Sequence, residues 1–422
     1  MFSFAAILIG CLLVGLPIFI ALIIPSMGIL NFSLDMPAWI VPQRVLAGMN
    51  KYTLLCVPFF VLAANVMAEG EIGRRLIGLA RCLVGHVYGG MALTGILACT
   101  IVGAISGAGA AGIMTVGPLM VKELEQDGYN KRFAVGLITS ISDVAMLIPP
   151  SIIFIIYALV TNQSIAKLFL AGMGGGLVFA SVFVVYSYVY ARRHKVALRD
   201  RASLRELGAS IKESSWALGL PVIILGGIYS GIFSPTEAAG AAAVYAIVIE
   251  MVVYKTLNLK GLFNISVKTA GNVAMIYVLL GAGLLLAYAM TLSKLPLVVL
   301  QFLGGTSPLA FLVVVNLAFL AIGCFVGPGS AIVILMPLFM PTAQALGVDP
   351  MHLAVVVVTN LAIGMDTPPF GIDLFVSSGV LKVEYSFVVR AIVPFMIANF
   401  TALIIITLFP FISTWLPSLI MG

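Results

Sequence analysis

The segment Ile363–Gly371, IGMDTPPFG, places an aspartate, a threonine and two adjacent prolines inside an almost uncharged apolar run from Leu353 to Val380. Proline removes a backbone donor and clashes with the carbonyl group one turn earlier, and it pushes the preceding residue out of the helical region. Two prolines in succession therefore predict that a membrane-length helix is broken into two halves here. Because freed carbonyl groups cannot face lipid, the break is expected to line a protein cavity or to bind an ion.

The composition of the chain is that of a membrane protein. Of its 422 residues, 62% are hydrophobic and 9% are charged, whereas soluble domains carry about 25% charged residues. Five cysteines and three histidines are scattered through the chain without the spacing of a disulfide framework or a metal site. The basic residues have no soluble domain to which they could belong, so nucleic-acid binding is not expected.

The placement of the basic residues predicts the topology. Five segments hold 18 of the 22 Lys and Arg, namely 69–90, 121–132, 191–214, 255–268 and 382–390. The positive-inside rule places these segments in the cytoplasm, with the N-terminus inside and the C-terminus outside. Two Gly- and Pro-rich stretches, 91–121 and 306–342, are predicted to be re-entrant hairpins. The predicted crossings are 2–30, 52–68, 133–160, 167–190, 215–232, 236–254, 270–290, 351–381 and 388–415.

An internal repeat relates the two halves of the chain. GAISGAGAAGIM (103–114) aligns with GCFVGPGSAIVI (323–334), AVGLITS (134–140) with AVVVVTN (354–360), and IPPSI (148–152) with TPPFG (367–371). The charge bias places the two hairpins on opposite faces, so the repeats are inverted, an arrangement found in many secondary transporters. The predicted fold is therefore an all-α polytopic membrane protein of inverted repeats, with two re-entrant hairpins and two broken helices.

Oxygen-bearing side chains flank each break, and no thiolate or imidazole is nearby in the sequence. Hard oxygen donors suit Na⁺ better than a transition metal, and Asp143 and Asp366 need a partner at this depth. Other interpretations remain open: Asp366 can instead cap the second half-helix, and Asp373 can pack near the cytoplasmic end. Gly103-x-x-x-Gly107 and Gly323-x-x-x-Gly327 also fit ordinary helix packing. The candidates for a substrate cavity are Ser142, Pro149, Pro150, Asn360, Pro368, Pro369 and Asp373.

Three motifs give the chain a specific family resemblance: GIFSPTEAAGAA (231–242), IPPSIIFIIYALVTNQSIAKLFLAG (148–172) and DTPPFGIDLFVSSG (366–379). Together they resemble the large membrane subunit of tripartite ATP-independent periplasmic (TRAP) transporters. The resemblance implies a Na⁺-driven importer of organic acids in the bacterial inner membrane, moving its substrate by an elevator motion. It also implies two partners, a small four-helix membrane subunit and a periplasmic substrate-binding protein, and no cofactor besides the coupling ion.

The same resemblance implies two sodium sites between hairpin tips and broken helices. Many members have a hydroxyl-rich first tip, whereas this chain has SGAGAAG at 106–112, so backbone carbonyl groups are expected to contribute more ligands there. The implied residues are Gly103, Ser106, Gly107, Ser140 and Asp143 for the first site, and Gly323, Gly327, Thr359, Asp366 and Thr367 for the second.

The resulting domain plan alternates scaffold and transport segments. A stand-alone Na⁺-coupled dicarboxylate carrier is the alternative function, because it can use the same helix plan. A channel is disfavoured by the paired inverted breaks, and no metalloprotease or serine-elbow motif predicts an enzyme. The plan assigns scaffold helices to 1–68 and 216–305, cytoplasmic arms to 69–90 and 191–215, and transport repeats to 91–190 and 306–422.

Overall fold

The fold is known from a computed structural model, which describes residues 7–8, 10–11, 14–107, 109–196 and 203–421. Every regular element in these ranges is helical, with no strand among them. This confirms the predicted all-α membrane fold. Seven of the described helices are long and apolar enough to cross a membrane: Tyr52–Glu69, Ile165–Arg193, Arg205–Tyr229, Pro235–Val253, Leu259–Leu292, Pro328–Ala345 and Tyr385–Leu408.

The N-terminal region differs from the single predicted crossing at 2–30. Residues 14–15 form a turn, with Gly15 at a positive φ of 78°, and residues 16–17 have no regular secondary structure. Pro17 then precedes the helix, a position where its missing N–H group removes no helical hydrogen bond. The helices that follow are Ile18–Met27 with a π-helical extension Gly28–Ser33, Ile40–Met49, and Cys56–Glu69 preceded by a 3-10 turn at Tyr52–Leu55.

A short amphipathic helix, Ile72–Val84, forms the first predicted arm. No side chain of its own sequence caps its N-terminus, and the buried Glu250 does so from another helix. The carboxylate of Glu250 accepts hydrogen bonds from the amides of Glu71 (3.1 Å) and Ile72 (3.0 Å) and from the Thr256 hydroxyl. The arm is therefore fixed to the helix that carries Glu250.

The two predicted hairpins are present, and each has a glycine at its tip. Gly107 ends the first arm of the first hairpin with φ at +63°, a left-handed conformation that glycine adopts without a Cβ clash. Gly327 precedes the second arm of the second hairpin. The first hairpin consists of Gly90–Ser106 and Gly109–Gln126, and the second of Pro308–Gly323 and Pro328–Ala345.

Both predicted helix breaks also occur, at the two Pro-Pro pairs. In the first broken helix a 3-10 turn, Ser142–Met146, follows the first half, and Ser151 caps the second half by accepting from the Phe154 amide. In the second broken helix, Asp349 caps the first half. The first broken helix consists of Lys131–Ile141 and Ile152–Thr161, and the second of Pro350–Met365 and Ile372–Leu381.

Several of the remaining helices begin or end at residues that differ from the predicted boundaries. The predicted loop 255–268 is helical from Leu259, because the Asn258 side chain caps a helix there. Within the basic stretch 191–215 one helix ends at Arg193 and another begins at Leu204, and residues 197–202 lie outside the described ranges. The predicted last crossing 388–415 is interrupted at Phe409–Pro410. The remaining helices, outside the hairpins and the broken helices, are Ile165–Arg193, Leu204–Pro221 continuing to Tyr229, Pro235–Val248 continuing to Val253, Leu259–Leu292, Leu295–Leu303, Tyr385–Leu408 and Phe411–Met421.

The segment SPTEAAG (234–240) forms a capping box at the start of the helix Pro235–Val248. The Ser234 hydroxyl accepts from the Glu237 amide, and the Glu237 carboxylate accepts from the Ser234 amide. Pro235 occupies the first helical position between them. Glu237 therefore starts a scaffold helix and needs no catalytic explanation.

Contacts connect the described parts of the five basic segments to one another, as a common cytoplasmic location requires. Contacts join 69–90 to 121–132, to 191–214 and to 255–268, and they join 121–132 to 382–390. These contacts are Arg81–Glu123 (3.4 Å), the Arg75 guanidinium with the Glu213 carbonyl (3.4 Å), Glu69–Lys268 (3.6 Å) and the Arg132 guanidinium with the Arg390 carbonyl (2.7 Å).

The two repeats pack crosswise. The second arm of each hairpin lies against the second half-helix of the other repeat. A Cβ atom on Gly117 would lie 3.1 Å from Leu381, and one on Gly329 would lie 2.9 Å from Ile156. This exchange brings the two helix breaks together in the interior of the protein.

Candidate functional site

Three carboxylates meet where the two breaks face each other. Asp143 comes from the 3-10 turn of the first break, Asp366 ends the first half of the second broken helix, and Asp373 lies in the first turn of its second half. One oxygen from each lies within 4.8 Å of the others. The side chains are 1%, 0% and 0% exposed, respectively. We call these three residues the acid cluster.

The acid cluster has no protein partner that neutralises it. Among the described residues, none donates a hydrogen bond to any of its six carboxylate oxygens. Ser140 and Asn399 lie next to Asp366, and their polar side-chain atoms are also without hydrogen-bond partners. Burying ionised carboxylates together without a counter-charge is strongly unfavourable. The arrangement therefore needs neutralisation, either by protons on the carboxylates or by a bound cation.

The first hairpin brings backbone directly onto the acid cluster. A Cβ atom on Gly109 would lie 2.5 Å from Oδ1 of Asp143 and 2.8 Å from Oδ2 of Asp373. Gly109 also begins the helix Gly109–Gln126, so the positive end of that helix dipole points at the carboxylates. A helix dipole is equivalent to roughly half an elementary charge, which leaves most of the negative charge of the cluster uncompensated.

The residues predicted for the first sodium site lie around the first break, but they do not converge on a single position. Gly103 packs against Ala145, where an added Cβ would be 2.6 Å away, and Gly107 packs against the Pro150 carbonyl. The Ser106 side chain and Ala108 lie outside the described part of the structure. Asp143 belongs to the acid cluster, and Ser140 lies beside Asp366 of the other predicted site.

The residues predicted for the second site are similarly distributed. Gly323 lies against the backbone of Gly364, and the nearest atom to a Cβ on Gly327 is in Ile372. The Thr359 hydroxyl donates to the Val355 carbonyl (2.7 Å) and the Thr367 hydroxyl to the Ile363 carbonyl (2.6 Å). These hydroxyl oxygens keep lone pairs for a cation. Asp366 alone of this set reaches the acid cluster.

The capping interpretation of Asp366 is wrong. The second half-helix begins at Ile372, Gly371 precedes it, and no side chain caps it. Asp366 instead stands at the C-terminal end of the first half, where the helix dipole is negative. Its carboxylate therefore does not cap the second half-helix. The interpretation that Asp373 only packs near the cytoplasmic end is wrong as well, because Asp373 contributes an oxygen to the cluster.

The candidates for the substrate cavity separate into buried and exposed groups. Pro149 and Pro150 are buried, whereas Pro368 and Pro369 are exposed. Beside the exposed pair, the rings of Phe325 and Phe370 lie 5.6 Å apart, centre to centre. In the described part of the structure, the prolines of the first break are therefore buried and the second break opens onto a surface. Two further candidates, Ser142 and Asn360, are buried and hydrogen-bonded. Ser142 donates to the Ile138 carbonyl (2.7 Å), and Asn360 donates to Asn316 (2.5 Å) and to the Val356 carbonyl (2.8 Å).

Sequence analysis missed Asn399 and the convergence of the three aspartates. Asn399 lies within the apolar helix Tyr385–Leu408, outside both repeat motifs. A single polar residue in an apolar span is a usable signal. The convergence has no such signal, because Asp143 and Asp366 are more than 200 positions apart in the sequence.

The fold and the cluster define a class: a polytopic membrane protein of the transporter type, with hairpins and broken helices around three buried carboxylates. The family can be stated as well. Residues 5–412 match the model of the DctM component of tripartite ATP-independent periplasmic transporters, and the chain belongs to this family of large permease subunits. The resemblance noted in the sequence is thereby confirmed.

Relatives with different named substrates are similar over nearly the whole chain. The C4-dicarboxylate TRAP transporter large permease protein of Vibrio cholerae is 38% identical, with 98% of this chain and 96% of the relative covered. The ectoine/5-hydroxyectoine permease of Ruegeria pomeroyi is 37% identical, covering 98% and 97%. The sialic acid permease of Vibrio cholerae is 33% identical, covering 98% and 97%.

One solved structure shares the fold at low sequence identity. The YdaH transporter of Alcanivorax borkumensis aligns with a TM-score of 0.63 at 14% identity, over 88% of this chain and 87% of that one. At this identity the likeness concerns the fold alone.

Proposed function

We propose that this chain is the permease of a Na⁺-coupled importer of an organic acid. The acid cluster carries the proposal, since Asp143, Asp366 and Asp373 are buried together without a protein counter-charge. Carboxylate, hydroxyl and amide oxygens supply its polar atoms, and such hard donors favour Na⁺. Bound Na⁺ would cancel the repulsion and let an anionic substrate approach the second break, which is the exposed one.

We further propose that the chain works with two partners in the bacterial inner membrane. A small four-helix membrane subunit would complete the scaffold, and a periplasmic protein would deliver the substrate. The contacts among the five basic segments support a common cytoplasmic location for them. The N-terminus would then be cytoplasmic and the C-terminus periplasmic.

The substrate is an organic carboxylate whose identity the relatives do not fix. Relatives named for a dicarboxylate, for ectoine and for sialic acid differ by only a few per cent in identity to this chain. The binding protein would make the first selection. A screen of carboxylates by uptake is therefore needed, and it can use a dicarboxylate as the first probe.

Reconstitution tests the proposal directly. Proteoliposomes that contain the chain, with or without the small subunit and the binding protein, are given an inward Na⁺ gradient and a radiolabelled carboxylate. Uptake that needs Na⁺ and both partners is expected. Na⁺-driven uptake by the chain alone would favour the stand-alone carrier, and full uptake with choline in place of Na⁺ would contradict Na⁺ coupling.

A further inference from the structure

Buried polar side chains extend from the acid cluster toward the end of the molecule that carries Asp349. His352 is 2% exposed, and its Nδ1 atom lies 3.5 Å from the Ser413 hydroxyl. Its Nε2 atom has no hydrogen-bond partner, and its ring also faces the Thr407 backbone. His352 follows the exposed Asp349 by three residues, so this side chain lies just below the surface.

The next polar groups lie deeper, where three helices meet. The Asn360 side chain donates to Oδ1 of Asn316 (2.5 Å), and the Asn316 side chain donates to the Thr407 hydroxyl (3.1 Å). These residues come from the second broken helix, the second hairpin and the helix Tyr385–Leu408. The Oδ1 atom of Asn360 is left without a hydrogen-bond partner.

The inner end of this series reaches the acid cluster. Asn399 lies on the same helix as Thr407, eight residues earlier, and contacts Asp366 with both polar atoms unpaired. His352 and Asp366 are 14 positions apart, about 21 Å at 1.5 Å per residue. We call these side chains the polar file: His352, Ser413, Thr407, Asn316, Asn360 and Asn399.

The unpaired atoms argue against a purely structural role. Polar residues that only join membrane helices hydrogen-bond to one another across the interface. In the polar file, His352, Asn360 and Asn399 each keep at least one buried atom without a partner. Such atoms are costly to bury. Water satisfies both the donors and the acceptors among them, and a passing cation satisfies the acceptors.

We propose that the polar file is the route by which the coupling cation reaches the acid cluster from the Asp349 end of the protein. The exposed carboxylate of Asp349 attracts cations at the outer mouth. Ser413, Thr407, Asn316 and Asn360 supply oxygen atoms along the route, and the carboxylates at its inner end attract the ion. The identity of the ion rests on the proposed function, whereas the route itself rests on the unpaired buried atoms.

A thiol-reactive cation tests the route. In the full chain with its five cysteines replaced by serine, Asn360→Cys is compared with Val358→Cys, an equally buried residue on another face of the same half-helix. The probe is silver nitrate, since Ag⁺ is a monovalent cation that bonds thiolates. Thiols left unreacted after timed exposure are labelled with a maleimide in denaturant.

Asn360→Cys is expected to react at least about tenfold faster than Val358→Cys, and sodium nitrate is expected to slow it relative to choline nitrate. Adding Asn316→Leu to Asn360→Cys should slow the reaction, because an apolar group then blocks the file. Equal rates at positions 360 and 358 would overturn the proposal. An effect of Na⁺ no greater than that of choline would overturn it as well.

A second pair of variants covers the case in which Asn360→Cys does not fold. Thr407→Cys and Ile406→Cys are neighbours on one helix and both are buried, but only Thr407 belongs to the polar file. The same difference in rate is expected. If uptake by the unmodified protein depends on Na⁺ but Ag⁺ does not reach the cysteines of the polar file, the route is rejected and the proposed function stands. Na⁺-independent uptake would reject the proposed function itself.

Discussion

Asp366→Asn is the most direct test of the acid cluster, because it removes one uncompensated negative charge with little change in shape. Without Na⁺ the variant is expected to melt at a higher temperature than the parent, since less repulsion is buried. Na⁺ should raise the Tm of the parent much more than that of the variant, because only a ligand that binds the folded state stabilises it. Uptake should fall at least about tenfold, or roughly 1.4 kcal/mol.

The control for Asp366→Asn is Glu384→Gln, which neutralises an exposed carboxylate outside the cluster. Thermal melts in NaCl and in choline chloride measure the difference. An Asp366→Asn protein with the same Na⁺-dependent rise in Tm as the parent would show that Asp366 does not bind the ion.

Gly109→Ala tests whether the first hairpin must lie against the carboxylates. The added methyl group would come within 2.5 Å of Asp143 and 2.8 Å of Asp373, too close for a carbon atom. The hairpin or the aspartates must shift, so uptake is expected to fall at least about tenfold while the protein still assembles.

The matched control is Gly240→Ala, in a scaffold helix where an added Cβ meets nothing within 4 Å. It is expected to keep full uptake and to gain about 0.5–1 kcal/mol of stability, the usual effect of replacing glycine within a helix. Equal uptake by Gly109→Ala and Gly240→Ala would show that the close approach is not needed.

Glu250 determines whether the first arm holds its position. It caps the helix Ile72–Val84 from a distant part of the chain. Glu250→Ala leaves the amides of Glu71 and Ile72 without their acceptor, which is expected to destabilise the protein by about 1–3 kcal/mol. Hydrogen exchange followed by mass spectrometry should show faster exchange at the start of the arm.

Glu213→Ala is the control for Glu250→Ala, because the exposed Glu213 contacts the arm only through its backbone carbonyl. Its exchange rates in the arm should match those of the parent. Unchanged protection in Glu250→Ala would mean that packing alone holds the arm.

Helix breaks and hairpins could be predicted from the sequence, but their meeting point could not. Pro149-Pro150 and Pro368-Pro369 mark the breaks because proline acts locally on the backbone. The capping box at Ser234 is likewise a local feature, because its partners are three residues apart. The acid cluster depends on crosswise packing of two repeats, which no local pattern encodes. The helix Leu259–Leu292 was predicted too short because its polar first turns lower the hydropathy, although Asn258 caps them.

The family resemblance implies an elevator motion, and we propose that the first arm stays with the scaffold while the first hairpin moves. Gly73 lies in the arm and Thr115 in the first hairpin, and a Cβ on Gly73 would be 3.3 Å from the Thr115 side chain. Oxidation of a Gly73→Cys/Thr115→Cys pair is expected to abolish uptake, because it ties the scaffold to the moving core. A reducing agent should restore uptake.

The control pair is Thr139→Cys/Ser377→Cys, whose parent hydroxyl groups lie 2.8 Å apart within the core. Oxidation should leave its uptake at the level of its own reduced form. Undiminished uptake with positions 73 and 115 joined would contradict relative motion between the arm and the hairpin. Both measurements use a background without the five native cysteines.

The acid cluster also bears on how the protein arose. The positions 219 residues before Asp366 and Asp373 hold Leu147 and Phe154, and the position 220 residues after Asp143 holds Ile363. An internal duplication would explain the matching backbones but not the charges, because none of the three aspartates has an acidic counterpart in the other copy. The acid cluster therefore depends on positions at which the two copies differ: one aspartate comes from the first repeat and two come from the second.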